Sequence, residues 1–173
     1  NLLEIGTYNF MDSGNEKTLI NAGTWAVKNY PSKNFALVLW NHGSGDLNFI
    51  GQLNHKLINP SDLFFYDPIC NQISLDKTII FSDFIEKKSK ERGICYDDTT
   101  LNYLDDLKLK NALQEICNNR FIYGKNESKK NKIDIIMLDA CLMAGIGTAY
   151  LCSKFANYMT ASQEVVMGPG YNY

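Results

Sequence analysis

Two short apolar runs in the sequence predict buried β-strands. One covers residues 34–40 and the other covers residues 132–138, and each stops abruptly at polar residues. Nearly continuous apolar runs of this length are typical of central parallel strands, which are covered on both faces. A third, weaker segment at 158–166 is rich in aromatic and β-branched residues and favours a strand over a helix.

Three amphipathic helices are predicted around these strands. Residues 17–29 place apolar side chains three and four positions apart, and Pro31 follows as a helix stop. Residues 105–117 repeat this spacing, with two aspartates in the first turn, where the helix dipole favours negative charge. A third helix is predicted at about 142–157. This order of helices and strands is typical of crossover connections on a mostly parallel sheet.

The stretch from about 47 to 100 is irregular and is interpreted as an insertion above the sheet. It contains Asn-Pro and Asp-Pro turn pairs, and a short hairpin or helix is expected around 78–90. The chain begins with Asn and ends in Pro-Gly-Tyr-Asn-Tyr. We therefore expect residues 1–173 to form a single domain cut from a longer protein.

Composition excludes several classes of function. The net charge is −2 and the pI is about 5.7, so no positive excess is available to bind nucleic acid or an anionic membrane. No apolar run approaches the roughly 18 residues that span a bilayer. The five cysteines form no Cys-x-x-Cys pair and the two histidines have no cysteine at ligand spacing. A metal site is therefore not expected, and no cofactor is required.

Two reactive residues follow the two strongest strands. His42 lies in an Asn-His-Gly-Ser-Gly turn after the first strand, and Cys141 follows the second strand. The carboxyl ends of neighbouring parallel strands meet at one edge of a sheet, so both side chains are expected there. An imidazole and a helix N-terminus each lower a thiol pKa, and Cys141 is expected to have both. The backbone amides of Gly43 and Cys141 are expected to face a developing oxyanion.

Each of these residues also has a simpler interpretation. A single cysteine at a strand end is usually a small packing residue, and a histidine before glycine often only caps a loop. The other cysteines and the second histidine lack a comparable setting, so they are interpreted as packing or surface residues: Cys70, Cys95, Cys117, Cys152 and His55.

The segments at 37–45, LVLWNHGSG, and at 138–144, LDACLMA, resemble the two catalytic blocks of the clostripain family of cysteine peptidases, relatives of caspases, legumain, gingipains and separase. The resemblance extends to 26–33, to 93–98 as an Asp-containing strand, and to 164–173. It implies a caspase-like three-layer α/β sandwich, with a mostly parallel sheet and helices on both faces.

The resemblance implies a role for each matching residue. His42 would be the general base or acid, Cys141 the nucleophile, and the Gly43 and Cys141 amides the oxyanion hole. Asp139 matches the acidic residue thought to help the S1 pocket accept Arg or Lys, although it could instead cap the helix expected from 142. No other aspartate follows it, so a second pocket carboxylate would have to be Glu164 or lie outside this sequence.

The resemblance also implies substrates, processing and location. Family members typically cleave proteins or peptides after basic residues, are secreted or lie in the cell envelope, and sometimes depend on calcium. They are often nicked between the two blocks after a basic residue, and four lysines lie in that interval: Lys125, Lys129, Lys130 and Lys132. A solvated loop is the simpler interpretation of this segment.

Two other functions stay open. One is a catalytically silent binding domain on the same scaffold, with the insertion as its recognition surface. The other is a hydrolase or transferase whose Cys-His pair acts on a small amide.

Overall fold

The computed structural model describes residues 11–45, 93–124, 131–166 and 170, together with four short strands between residues 52 and 75. The helices within these residues are α1 (Glu16–Asn29), α2 (Asp106–Tyr123) and α3 (Ile146–Ser153). The strands are β1 (Ala36–Trp40), β2 (Gln52–Leu53), β3 (Lys56–Leu57), β4 (Phe64–Asp67), β5 (Gln72–Leu75), β6 (Gly93–Asp97), β7 (Asn102–Asp105), β8 (Ile133–Asp139) and β9 (Ala156–Ala161).

The central sheet has three parallel strands in the order β1-β8-β9. The β1-β8 register pairs Ala36 with Ile135 at one end and Trp40 with Asp139 at the other. The long excursion and α2 connect β1 to β8, and α3 connects β8 to β9. The predicted crossover connections on a mostly parallel sheet are therefore confirmed.

The excursion contributes three antiparallel pairs. β2 pairs with β3 and β4 pairs with β5 inside the predicted insertion, and β6 pairs with β7 just before α2. The hairpin or helix expected around 78–90 lies outside the described residues. The strand expected at 93–98 is present as β6.

The core lies between the helices and one face of the sheet. α2 packs against both α1 and α3, and the buried cluster includes Leu39 of β1 together with Ile136 and Leu138 of β8. On the opposite face Trp40 is 63% exposed and Tyr158 is 72% exposed. The α/β class is confirmed, and the described helices belong to one layer; helices on the second face stay a prediction.

The first two helices agree with the sequence pattern. Asn15 caps α1 by accepting a hydrogen bond from the Lys17 amide, and Asp105 caps α2 by accepting one from the Lys108 amide at 2.8 Å. Such caps satisfy amides that have no partner inside the helix. α2 continues to Tyr123 rather than ending near 117.

The predicted boundaries of the third helix and the third strand are wrong. α3 begins at Ile146 rather than at about 142 and ends at Ser153, and β9 ends at Ala161 rather than at 166. Leu142 has a φ of 64°, in the left-handed region, which a helix cannot include. The chain thus leaves β8 in a turn rather than entering a helix directly.

A buried arginine ties α2 to the start of the sheet. Arg120 is 3% exposed and forms an ion pair with Asp134 at 2.7 Å. Its guanidinium also donates to the Lys132 carbonyl at 3.0 Å and the Lys33 carbonyl at 3.1 Å, and it lies over the Phe35 ring. A buried charge is tolerated when it is paired and hydrogen-bonded in this way.

Two core thiols have strongly raised pKa values. Burial raises the pKa of Cys95 from 9.0 to about 12 and that of Cys152 from 9.0 to about 11. Neither cysteine is in a disulfide. Desolvation disfavours the thiolate, so both thiols keep their protons in the folded protein.

We predict that the protein loses stability at alkaline pH. Unfolded thiols release their protons near pH 9, whereas these folded thiols hold them to about 11 or 12. The contribution of these thiols to the free energy of unfolding is therefore fully present below about pH 9. Above it, the free energy of unfolding falls by about 1.4 kcal/mol per pH unit for each thiol. Urea unfolding between pH 8 and pH 11 measures this on the wild type and on Cys152→Ala, whose decline should be shallower. Equal slopes would contradict the prediction.

Candidate active site

The β1-β8 register sets the level of the two candidate catalytic residues. Trp40 is paired with Asp139, and His42 and Cys141 each follow two positions later. The Asn41 amide still donates to the Asp139 carbonyl at 3.3 Å, so the chains remain together beyond the last paired residues. His42 and Cys141 therefore leave the same edge of the sheet at the same level.

The loop that contains His42 pairs with β6 on its other side. The Cys95 amide donates to the His42 carbonyl at 3.1 Å, the Ser44 amide donates to the Gly93 carbonyl at 3.0 Å, and Gly43 faces Ile94 in an antiparallel bridge. These contacts hold residues 42–44, which follow β1, against β6. Sequence reasoning found β6 by resemblance but missed this pairing, because nothing local marks it.

The Gly43 amide faces the β8 side of its loop. In the antiparallel bridge with Ile94, the flanking residues make the hydrogen bonds, so the amide of Gly43 faces away from β6. This is the side on which Asn41 donates to β8. An ideal Cβ at position 43 would lie 2.8 Å from the Cys141 carbonyl oxygen, so only glycine fits this approach.

A segment after β9 covers the candidate nucleophile. The Leu142 amide donates to the Glu164 carbonyl at 3.1 Å, and the Ala144 amide donates to the Ser162 carbonyl at 3.0 Å. The Val166 amide donates to Cys141 Sγ at 3.3 Å. Cys141 is only 6% exposed as a result.

The expected low pKa of Cys141 is not found. Burial raises the pKa of the Cys141 thiol, hydrogen bonds from the Val166 and Cys141 amides lower it, and the nearby Asp139 charge raises it, with burial the largest effect. Cys141 also does not open a helix, because α3 starts only at Ile146. The expectation of a helix N-terminus at this thiol was wrong.

Asp139 ends β8 as a buried carboxylate. It is 1% exposed, and an ideal Cβ at Gly170 would overlap its Oδ2 and lie 2.8 Å from Trp40 Nε1. Gly170 therefore packs directly against this pair and takes a positive φ of 77° to do so. Asp139 does not cap α3, because Gly145 occupies the cap position.

The remaining predicted site residues are spread around this centre. Glu164 has an exposed side chain, while its carbonyl bonds the residue after the nucleophile. The Lys132 side chain donates to the Ser153 carbonyl at 2.8 Å. Lys125, Lys129 and Lys130 lie outside the described residues.

Sequence reasoning missed a buried polar contact behind the His42 loop. Ser44 is fully buried, and its Oγ accepts hydrogen bonds from the Tyr96 hydroxyl at 2.9 Å and the Gly93 amide at 3.1 Å. It also donates to the Gly93 carbonyl at 3.3 Å. A serine beside two glycines gave no signal beyond that of a flexible turn.

The described residues contain no group of three or more His, Cys, Asp or Glu side chains placed to hold a metal ion. Calcium dependence stays an expectation from the resemblance. The helices in the same part of the chain include none with the length and apolar character needed to cross a bilayer.

A parallel α/β sheet with a histidine and a cysteine at one strand edge is the arrangement of caspase-like cysteine peptidases. The sequence model of the clostripain family, Peptidase_C11, matches residues 77–173, which is more than half of the chain. The chain belongs to the clostripain family. The matched range includes Cys141 and Asp139 but begins after His42.

One solved structure supports the fold. It is the X-ray structure of a secreted C11 cysteine protease from Bacteroides thetaiotaomicron in complex with an irreversible peptide inhibitor. The two chains share 21% identity with a TM-score of 0.53, over 96% of this chain and 32% of the other. The present chain thus spans about a third of that protein's length. A comparison with curated proteins gives no match.

We predict that Gly43→Ala destabilises the protein by about 1 to 3 kcal/mol, because the new methyl group meets a backbone carbonyl that cannot rotate away. Gly23→Ala in α1 is the comparison variant, since the atoms nearest its methyl belong to the Ile116 side chain rather than to backbone, and alanine gains about 1 kcal/mol of helix propensity. Urea unfolding measures both free energies. A loss in Gly43→Ala no larger than in Gly23→Ala would contradict the close approach.

Proposed function

We propose that this chain forms the catalytic core of a cysteine endopeptidase that cleaves after Arg or Lys. Cys141 is the nucleophile and His42 is the general base and acid. The amides of Gly43 and Cys141 form the oxyanion hole, and Asp139 binds the basic P1 side chain. Protein or peptide substrates with a basic P1 residue, and secretion or a cell-envelope location, follow from the family resemblance.

One observation carries this proposal. His42 and Cys141 follow paired positions of adjacent parallel strands in a member of a cysteine peptidase family. The Gly43 amide, directed to the same side, adds a hydrogen-bond donor where negative charge would develop. An imidazole, a thiol and a backbone N–H donor at one edge are what acyl transfer to cysteine needs.

The residues have defined tasks in this reaction. The imidazole of His42 takes the proton of Cys141, and the thiolate attacks the carbonyl carbon of the scissile peptide. The carbonyl oxygen becomes an oxyanion that accepts hydrogen bonds from the two amides. The C–N bond breaks as His42 gives its proton to the leaving amine. Water, deprotonated by His42, then hydrolyses the thioester and releases the second product.

Substrate binding must uncover the site. Val166 lies on Cys141 Sγ and Gly170 lies on the Asp139 carboxylate, so a peptide reaches neither group until both residues withdraw. The same observation favours a second candidate, a catalytically silent binding domain in which the thiol stays covered and protonated. Reactivity of Cys141 separates the two.

A thiol-reactive peptide carrying Arg or Lys should label Cys141 in preference to the other four cysteines. The peptide places its electrophile at Sγ only if the pocket opens and accepts the basic side chain. Mass spectrometry after digestion locates the label. Equal or weaker labelling of Cys141 would favour the silent domain.

The dyad variants give the second test. Cys141→Ala and His42→Ala should each lower hydrolysis of a basic P1 peptide by about a thousandfold or more, with the fold intact. Cys117→Ala is the matched control, because it removes a buried thiol from α2, away from the site. Initial rates and thermal unfolding are measured on all three. Substantial turnover in either dyad variant would overturn the mechanism.

Asp139→Asn should reduce kcat/KM for Arg and Lys substrates far more than for an uncharged P1 substrate. A charge-assisted hydrogen bond in a partly desolvated pocket contributes about 2 to 3 kcal/mol, or roughly 30-fold to 150-fold. Steady-state kinetics on matched peptides measure the difference. Equal losses on both substrates would mean that Asp139 acts only in the packing under Gly170.

Self-processing would cut the chain between Lys125 and Lys132. We propose this interval because it lies between the two strands that carry the dyad and contains four lysines. Purified wild type should give two fragments by denaturing mass spectrometry, and Cys141→Ala a single uncut chain. Identical masses in both proteins, whether cut or uncut, would remove the proposal.

A further inference from the structure

The buried Ser44–Tyr96 contact lies directly behind the loop that carries His42 and Gly43. Ser44 is fully buried and Tyr96 is 6% exposed. The Ser44 hydroxyl uses its full hydrogen-bonding capacity: it accepts from Tyr96 and from the Gly93 amide, and it donates to the Gly93 carbonyl. Burial raises the pKa of Tyr96 to about 12, so its hydroxyl is a donor throughout the neutral range.

Two backbone hydrogen bonds between β6 and residues 42–44 lie beside this contact, and the three interactions together are called the clamp. The Cys95 amide bonds the His42 carbonyl at one end, and the Ser44 amide bonds the Gly93 carbonyl at the other. Cys95 reaches its partner through a register irregularity in β6 and a positive φ of 59°. A bulge with such a strained residue is typical of a strand that positions a neighbouring site.

The clamp is itself anchored to the rest of the fold. The Ser13 hydroxyl donates to the carbonyls of Cys95 and Tyr96 at 3.3 Å and 3.2 Å. The Tyr96 ring stacks on Tyr103 of β7, with centroids 5.0 Å apart. The Tyr96 hydroxyl is therefore held in place, and it holds Ser44 in turn.

We infer that Ser44 and Tyr96 are a positioning pair that fixes the His42–Gly43 peptide units, and so aligns the imidazole and the oxyanion donor with Cys141. This inference rests on the proposed function. Neither residue touches the reacting atoms. Both act through the backbone that they hold, and a displacement of about 1 Å at a catalytic group can lower a rate about a hundredfold.

Tyr96→Phe is the main variant, because it removes only the hydroxyl and keeps the ring packing. Its kcat should fall about tenfold to a hundredfold while KM stays within about twofold. Tyr103→Phe is the matched control, since it removes a hydroxyl from the stacked ring next to the pair. It should leave kcat within about twofold of the wild type.

Ser44→Ala tests the other partner of the pair. Because the two residues act as one unit, the double variant Ser44→Ala/Tyr96→Phe should have about the same kcat as whichever single variant has the lower kcat. Additive losses would mean that each residue stabilises the fold separately. A raised KM with unchanged kcat, or losses that match Tyr103→Phe, would also overturn the inference.

A spectroscopic readout keeps this inference separate from the proposed function. Imidazole NMR spectra of the ¹⁵N-labelled protein contain a His42 signal, identified by its absence in His42→Ala. Tyr96→Phe should shift or broaden this signal and leave the signal of His55, the other histidine, unchanged. If the wild type hydrolyses no basic P1 peptide, the proposed function fails, and the spectra alone decide the positioning. An unmoved His42 signal would overturn the positioning pair.

Discussion

The parallel pairing of β1 with β8 is the constraint on which the site depends. Its register places Trp40 beside Asp139, so His42 and Cys141, each two residues later, begin at the same level of the sheet. A slip of one residue would send each side chain to the opposite face of the sheet. The apolar face that carries Leu39 and Leu138 is buried against the helices, so the packing of the core opposes such a slip. The hydrophobic effect thus determines which polar groups meet at the sheet edge.

Reactivity and stability make opposite demands on the thiol at this edge. Contact with Val166 excludes water from Cys141, and the loss of hydration favours the protonated form. Hydrogen bonds from the Val166 and Cys141 amides act in the other direction and lower the thiol pKa, but the Val166 donor is lost when that residue withdraws. The described arrangement is therefore a covered site in which one of the two amide donors belongs to the covering segment. How readily residues 162–166 separate from the turn after β8 determines which of the two proposed functions the chain has.

Much of this arrangement could be predicted from local sequence. The apolar runs that form β1 and β8 are unambiguous, and parallel topology then predicts that His42 and Cys141 share an edge. The start of α3 could not be predicted in this way. Residues 142–146 resemble a helix start, but the amides of Leu142 and Ala144 bond residues about 20 positions away. The role of Ser44 was hidden for the same reason, because its partner Tyr96 lies on a strand whose pairing with the loop depends on a bulge. Contacts distant in sequence decided both cases.

Arg120 has a consequence for a cut between the two catalytic strands. It lies before the lysine interval, whereas its ion-pair partner Asp134 lies after it. The Lys132 side chain is bonded in turn to Ser153, and β8 lies between β1 and β9. A chain severed there would remain a noncovalent heterodimer, in which one polypeptide supplies the imidazole and the other supplies the sulfur. The two pieces would co-purify under native conditions and would separate only in denaturant, so neither half alone would contain a complete dyad.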